Sequence, residues 1–520
     1  MDYFRPRGDI TTVLDLTDRD AQDNYLFPLD TDNSWFHRLD NNGEPKTVYP
    51  TSVSVQEFPH RGPADFGQLF TFEIGSLPAG DLLQAIILQV RLGHWYNPQT
   101  ICRLQRGEIQ ADISGTTQYV NDYWTWANSI GTSLVEYAEF VVGEQTIERL
   151  SGEFIRAFLN IFADVDTQFG VATDGLGNVA GPALYVPPTN PGLSSVFKTA
   201  LNPNRPWPTE NGTIFCVLPF FFLRTRLKEV FPLLSCNEGN VRVNIKLRPF
   251  SQLVRNFSGL RQSCDEVPLG QEVTFKTTGT TPQTVQVQTA QTPPIFQDFR
   301  ILTTTVLTTG KIREAYLHRP FEQMVKLVQT FSFDEPLKYI VSKPNPTNDT
   351  IELQLPLELN HPVTELFWVF RRKAVQVNNE WFNFSPVVTA QNNPERVYPA
   401  WLDYATIRIN GSEVMAATGN WYRNHIARRH KSGIVSYSSF VYGYSFAESP
   451  DDHQPTGTAN MSRTNSVTIN MRVNSPFPLQ LPPGSEWDPQ VPSGWEIHVF
   501  AIHYNWLRFE NGICNKMFSD

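Results

Sequence analysis

Val135-Glu136-Tyr137-Ala138-Glu139-Phe140-Val141-Val142-Gly143-Glu144 returns, without a gap, as Leu402-Asp403-Tyr404-Ala405-Thr406-Ile407-Arg408-Ile409-Asn410-Gly411. The spacing still holds where Gly152-Glu153-Phe154-Ile155-Arg156 meets Gly419-Asn420-Trp421-Tyr422-Arg423. Other landmarks keep their order on both sides. Val217-Leu218-Pro219-Phe220-Phe221-Phe222 is followed by the alternating strand Val241-Arg242-Val243-Asn244-Ile245-Lys246-Leu247, and Val441-Tyr442-Gly443-Tyr444-Ser445-Phe446 precedes Val467-Thr468-Ile469-Asn470-Met471-Arg472-Val473. Solenoid repeats recur every ~20–50 residues, far more often than this, so the pattern is the duplication of one domain.

Composition limits what the two copies can be. The chain has 520 residues, and since all-β domains commonly run to about 200–250 residues, two of them account for it. Charged residues are 18%, aromatics 12%, and there are 39 prolines, a balance that favours β-sheet with long, proline-stiffened connections. The net charge of −10 and the absence of any long Lys/Arg run exclude the electrostatic footprint of a nucleic-acid binder. Five cysteines (Cys102, Cys216, Cys236, Cys264, Cys514) lie far apart without a CxxC pair, which fits neither a disulfide framework nor a zinc site and predicts free thiols. The N-terminal Met1-Asp2-Tyr3-Phe4-Arg5 carries charges where a signal peptide needs an apolar stretch, and the longest apolar run, Phe215 to Leu223, is too short to span a membrane.

Along the chain the dominant period is two. Ile351, Leu353, Leu355, Leu357 and Leu359 fall on one face of a half-buried strand, and Trp495 to Phe509 is a second long strand of this kind. The best helix is Gly152 to Phe162, with Phe154, Ile155, Phe158, Leu159 and Phe162 at helical spacing; its counterpart at Gly419 to His430 is less apolar. Long connections are expected at 164–211, at 250–294 with its Thr/Gln-rich part Thr277 to Thr292, and at 474–494. The two copies meet near Leu307 to Glu314, where Ile312-Arg313-Glu314 leads into an extended segment, Phe321 to Phe333. Residues 1–40, polar and acidic, read as an arm that docks elsewhere.

Several markers occur in a telling order. Gly80-Asp81-Leu82 opens a strand; Asn360-His361-Pro362 precedes Glu365-Leu366-Phe367-Trp368; Asn410-Gly411 follows an alternating strand. Then come Gln454-Pro455-Thr456-Gly457, Asn460-Met461-Ser462-Arg463 and Tyr504-Asn505-Trp506-Leu507-Arg508. Together, and over nearly the whole chain, they resemble the double jelly-roll major capsid protein of the nucleocytoplasmic large DNA viruses. The sequence departs from that family's pattern where Thr464 follows Arg463 and where Gly143-Glu144 replaces a glycine pair.

The resemblance implies an all-β chain of two consecutive eight-stranded antiparallel jelly-roll barrels with long loop insertions, the arm being followed by a first barrel over 41–310 and a second over 311–520. It implies a homotrimer, a pseudo-hexagonal capsomer that tiles an icosahedral shell beside neighbouring capsomers and minor capsid and penton proteins. The arm would contact an internal membrane or its proteins, assembly would take place in host cytoplasm, and no direct contact with nucleic acid is implied. Gly80, Asp81, Asn360, His361, Pro362, Trp368, Gly411, Pro455, Gly457, Ser462 and Arg463 are then structural markers: Pro455 and Gly457 fix a turn, Ser462 bonds local backbone and Arg463 forks onto a carboxylate or carbonyls.

No catalytic, cofactor or metal site is expected. Gly175-Leu176-Gly177-Asn178-Val179-Ala180 matches a dinucleotide fingerprint but is followed by Pro182, Pro187 and Pro188 where a helix is required. Asp451-Asp452-His453 with His430 or His425 is expected to be a solvated polar cluster. His498 and His503, five apart on one strand, face opposite ways and are expected in packing. Arg423, Arg428, Arg429 and Lys431 form a basic patch on an expected solvated loop, available to an acidic arm or a phospholipid surface. Sequons stand at Asn211, Asn256, Asn348, Asn383, Asn410 and Asn460, with Asn410 expected in a tight turn. The competing class is a cytosolic jelly-roll carbohydrate-binding protein or glycan-active enzyme, which would need a convergent carboxylate pair in an aromatic cleft.

Overall fold

The computed structural model describes residues 52–60, 62–75, 80–92, 111–112, 124–127, 130–162, 213–224, 230–256, 271–278, 285–292, 296–308, 310–342, 350–373, 379, 381–382, 384, 400–430, 440–452, 455–474 and 495–518. In the first half these include β1 (Ser52–Pro59), β2 (Leu69–Glu73), β3 (Leu82–Leu92), β4 (Val135–Val142), β5 (Gln145–Ser151), β6 (Thr213–Val217), β7 (Val241–Leu247) and β8 (Phe296–Leu307). The second half has β9 (Phe321–Phe333), β10 (Thr350–Leu357), β11 (Pro362–Arg372), β12 (Leu402–Ile409), β13 (Ser412–Thr418), β14 (Val441–Ser445), β15 (Val467–Asn474), β16 (Trp495–Glu510) and a short β17 (Ile513–Lys516). The arm, the segment 164–211 with its glycine-rich fingerprint, and 475–494 lie outside the described residues.

The two halves repeat one topology. The first has sheets β1-β8-β3-β6 and β2-β7-β4-β5; the second has β9-β16-β11-β14 and β10-β15-β12-β13, the same order strand for strand. Accessory strands widen the barrels: Phe231–Pro232 beside β3, Ala459–Asn460 beside β11, Ile340–Ser342 beside β10, and β17 beside β16. Facing sheets meet through apolar side chains, as where Phe70 of β2 packs 4.5 Å from Phe299 of β8. This is a jelly roll, made twice.

The quoted repeat is a hairpin followed by a helix in both halves. β4 and β5 turn at Gly143 (φ +59°), β12 and β13 at Asn410-Gly411 (φ +52° and +81°), left-handed conformations that suit Gly and Asn. A bulge falls at the same place in each pair, after Phe140 and after Ile407. The helices are α1 (Gly152–Phe162) and α3 (Gly419–Arg429), separated in the chain by α2 (Gly310–His318). Both α1 and α3 begin with glycine for one reason. A Cβ on Gly152 would sit 2.5 Å from the Val135 carbonyl oxygen, and one on Gly419 would strike the equivalent Leu402 oxygen.

Burial explains which strands were easy to read. β7 alternates buried with partly buried residues and β10 buried with exposed ones, because one face meets the core and the other does not. β11 is buried at nine successive positions, Val363 to Arg371, and β16 from Trp495 to Asn505, because both faces of their sheet are covered. The apolar cluster runs without a break through both barrels.

The structure adds two elements and corrects one expectation. At the junction α2 occupies Gly310–His318 and leads into β9, which is extended as read. The buried apolar run from Val217 leaves β6 and passes into a 3-10 turn, Phe221–Leu223, since Pro219 cannot donate to a sheet. The Thr/Gln-rich connection is a β-hairpin, Gln271–Thr278 against Val285–Thr292, paired in parallel with Ala111–Asp112; its Thr and Val residues suit strands.

Candidate functional site: the seam between the barrels

The predicted marker residues do not converge on one cleft. Gly80 and Asp81 sit at the start of β3 and Asn360-His361-Pro362 at the start of β11, equivalent places in the two barrels. Asp81 is buried, and its Oδ2 accepts hydrogen bonds from the Thr308 backbone N–H (2.8 Å) and hydroxyl (3.0 Å), with Arg313 of α2 at 3.6 Å. It thereby ties the first barrel to the connecting helix. A Cβ on Gly80 would come 2.6 Å from Thr305 Oγ1.

His361 has φ +65°; its backbone N–H donates to Ser462 Oγ at 2.8 Å and its carbonyl accepts from the Met461 N–H at 3.0 Å. Ser462 therefore bonds backbone 101 positions away in the chain instead of local backbone. The His361 ring lies 4.9 Å from that of His503, which is fully buried, while His498 Nδ1 is 3.0 Å from Ser332 Oγ. Trp368 is fully buried between Tyr422 and Tyr442. Gly411 makes the β12–β13 turn. Pro455 and Gly457 lie between β14 and Ala459–Asn460, and a Cβ on Gly457 would meet the Phe446 carbonyl oxygen at 2.5 Å, so crowding is the main reason for glycine there. Arg463 is exposed on the 3-10 turn Met461–Arg463, and among the described residues no carboxylate pairs with it.

What the molecule does build is a buried polar and aromatic seam between its barrels. Glu153 opens α1 on the first barrel and reaches Arg371 of β11 at 2.8 Å and Arg248 at 3.0 Å. Arg371 also pairs with Glu496 of β16. Burial opposes ionisation of Glu153, but the two guanidiniums overcome it and hold the carboxyl down at about 2. Glu496 is likewise held at about 2, against its burial, by His498 and Arg371. Trp381 caps both arginines, 4.3 Å from Arg248 and 5.6 Å from Arg371, and its Nε1 donates to the Gln252 carbonyl at 2.8 Å. Beside them Phe154 of α1 packs on Phe367 of β11 (5.7 Å) and Phe500 of β16 (5.4 Å).

Two further nodes extend the seam. Glu148 pairs with Arg224, both buried, and Arg224 donates to the Pro219 and Lys326 carbonyls at 2.8 Å each, the latter on β9. Burial pushes the Glu148 carboxyl up despite Arg224. His430, at the end of α3, is buried between Asp451 (Nδ1 to Oδ1, 2.5 Å) and Glu365 (Nε2 to Oε2, 2.7 Å) and meets Phe158 of α1 edge-on at 6.2 Å. Burial favours the neutral ring, yet the two carboxylates raise it to about 10, so an imidazolium sits between two anions. The expected solvated cluster is thus a closed, buried core contact, with both carboxylates engaged by one ring. Among the described residues no group of His, Cys, Asp or Glu is arranged to hold a metal ion.

Sequence patterning missed these nodes because each joins residues tens to hundreds of positions apart; the one local sign was an acidic residue, Glu153, at the start of an apolar helix. Cys236 of the first barrel and Cys514 of β17 meet across the same seam, thiol to thiol, and both are buried, free thiols, as is Cys216. Cys102 and Cys264 lie outside the described residues. Arg423, Arg428 and Arg429 lie on helix α3 and not on a loop; Lys431 is outside the described residues.

Comparison with known proteins agrees with this architecture. The family model described as the large eukaryotic DNA virus major capsid protein matches residues 313–515, and the model for the major capsid protein N-terminus matches residues 46–292. The major capsid protein of Phaeocystis pouchetii virus is 21% identical over 541 residues, covering 88% of this chain and 91% of that protein. That of Pyramimonas orientalis virus is 25% identical over 206 residues, covering 35% of this chain and 43% of that protein, so this match spans less than half of that relative. Among solved structures, a chain of the PBCV-1 virus capsid aligns with TM-score 0.58 at 16% identity, over 91% of this chain and 99% of that one. The Faustovirus major capsid protein aligns with TM-score 0.53 at 13% identity, over 91% and 93%. With the first barrel matched by the model for the major capsid protein N-terminus and the second by that for the large eukaryotic DNA virus major capsid protein, the chain belongs to the family of large eukaryotic DNA virus major capsid proteins, structural components of the virion.

Proposed function

We propose that this chain works by self-assembly as a homotrimer in which three pairs of barrels form a pseudo-hexagonal capsomer, and that capsomers tile an icosahedral shell. The observation that carries this reading is the internal one: two barrels with the same sheet order and the same bulges, locked by a buried seam. Such a unit presents two similar columns per chain, so three chains provide six from one gene, and closed rings are the usual way for identical chains to bury like surfaces. Neighbouring capsomers, minor capsid and penton proteins are the partners in this scheme, with residues 1–40 as the arm that meets an internal membrane or its proteins, the barrels spanning 41–310 and 311–520, and assembly in host cytoplasm. The marker residues serve as clamps: Asp81 for the inter-barrel connection, His361 with Ser462 for one end of the second barrel.

Light scattering coupled to size exclusion tests the trimer. The expected mass is about three times 59.2 kDa. A stable monomer at micromolar concentration overturns the reading, and electron micrographs of the same peak should show particles with a six-fold-like outline.

A further inference from the structure

Each barrel carries a helix of the kind that covers a neighbour's sheet, and among the described residues only one of them does so within the chain. α1 of the first barrel lays Phe154 on the outer face of sheet β9-β16-β11-β14, with Phe158 stacked behind it at 5.6 Å and 20°. By the repeat, Phe154 corresponds to Trp421 and Phe158 to His425 on α3. Those rings are stacked in the same way, 4.5 Å apart at 15°, but there they line an open groove with Asn424, Arg428, Arg429 and Glu448.

The complementary surface is on the first barrel. β3 and β11 share a bulge, at Gln84 between the pairs Leu83–Thr305 and Ala85–Thr304, and at Thr364 between Val363–His503 and Glu365–Ile502. Aligning the bulges sets the cross-strand pair Ile87–Leu302 on the site of Phe367–Phe500, the two rings that receive Phe154. In the second barrel that pair is fully buried or nearly so; Ile87 and Leu302 remain partly exposed. Around them on the same outer face are Ala85, Phe215 and Val217, also partly exposed, and Val55, which is 60% exposed. An apolar sheet face of this kind, left open on a soluble chain, marks an interaction surface.

We propose that the groove side of α3, with Trp421 and His425 at its centre, docks on the outer face of sheet β1-β8-β3-β6 of a second copy of this chain, setting Trp421 against Ile87 and Leu302. The contact repeats between chains the step that the seam makes within one. It rests on the trimer reading above: a head-to-tail contact of unlike surfaces closes into a ring when its rotation permits, and three chains would bring six quasi-equivalent seams. The occupant is a second copy because the groove and the sheet face are pseudo-equivalents of two surfaces that already bind one another.

The test uses the full chain and three variants. Ile87→Asp and Trp421→Glu each place a charge in the contact, and each should shift the light-scattering mass from that of a trimer to that of a monomer. Both sites lie outside the barrel cores, so far-UV circular dichroism and a cooperative melt should be retained. The double variant Ile87→Cys with Trp421→Cys, treated with a short bismaleimide, should give covalent trimers on a denaturing gel, while each single cysteine variant should not. A parent that is itself monomeric overturns the trimer reading and this inference together. A trimeric parent whose charged variants also remain trimeric, or whose paired cysteines do not cross-link, leaves the trimer standing and overturns this assignment of its surfaces.

Discussion

At the scale of single residues, the seam ties stability to pH from both ends. Glu153 is held at about 2 against an ordinary 4.5, so its contribution is full above 4.5 and is lost as pH falls toward 2. Glu153→Ala leaves Arg248 and Arg371 buried without their shared carboxylate. The expected loss is about 3–5 kcal/mol at pH 7, read as a lower urea midpoint, and the gap to the parent should narrow below about pH 3. His430 has the opposite sign. Raised from 6.5 to about 10, its contribution is complete below 6.5 and is lost as pH rises through 10. Melting curves at pH 6, 8 and 10 should therefore fall for the parent, whereas His430→Gln should start lower and stay flatter. A third comparison separates crowding from charge. Gly457→Val drives a Cβ into the Phe446 carbonyl and should cost about 1–3 kcal/mol, while Arg463→Ala, on an exposed turn, should stay within about 0.5 kcal/mol of the parent.

Elements differ in how far they depend on their surroundings. Among the described residues, the hairpin Gln271–Thr278 and Val285–Thr292 pairs only with Ala111–Asp112 and belongs to none of the four barrel sheets. Replacing 271–292 with a short Gly/Ser link should leave the melting temperature within a few degrees of the parent, since each doubling of loop length changes closure by only ~0.6 kcal/mol. A fall of ten degrees or more would show that the hairpin supports a barrel. Elements also differ in legibility. β7 and β10 could be read from alternation because one face is wet, and α1 from its apolar spacing. α2 escaped notice because Gly310 to His318 has little apolar periodicity and owes its place to Asp81 and the joint it bridges.

For the whole molecule, the continuous core implies that the barrels are not independent. A fragment of residues 41–310 would expose Phe154, Phe158 and the ion-paired Glu148 and Glu153 to water. It should be insoluble or bind a hydrophobic dye strongly, whereas the full chain should do neither; a soluble, cooperatively melting fragment would show that the seam is dispensable.

What the sequence determined by itself was the duplication, the β class and the hairpin-plus-helix unit, because these rest on local periodicity and on glycines whose need is set a few residues away. The family markers were legible too, in order but not in role: Ser462 was readable as a backbone partner, but not as the partner of His361. Only the tertiary structure decided that His430, Asp451 and Glu365 form a buried ionic core contact instead of a solvated cluster, and that Arg371 serves the first barrel as much as the second. The physical reason is sequence separation: a buried charge persists only beside a counter-charge, and here each counter-charge comes from a segment distant in the chain, brought close by folding within a barrel or, for Glu153 with Arg371, by the packing of the two barrels.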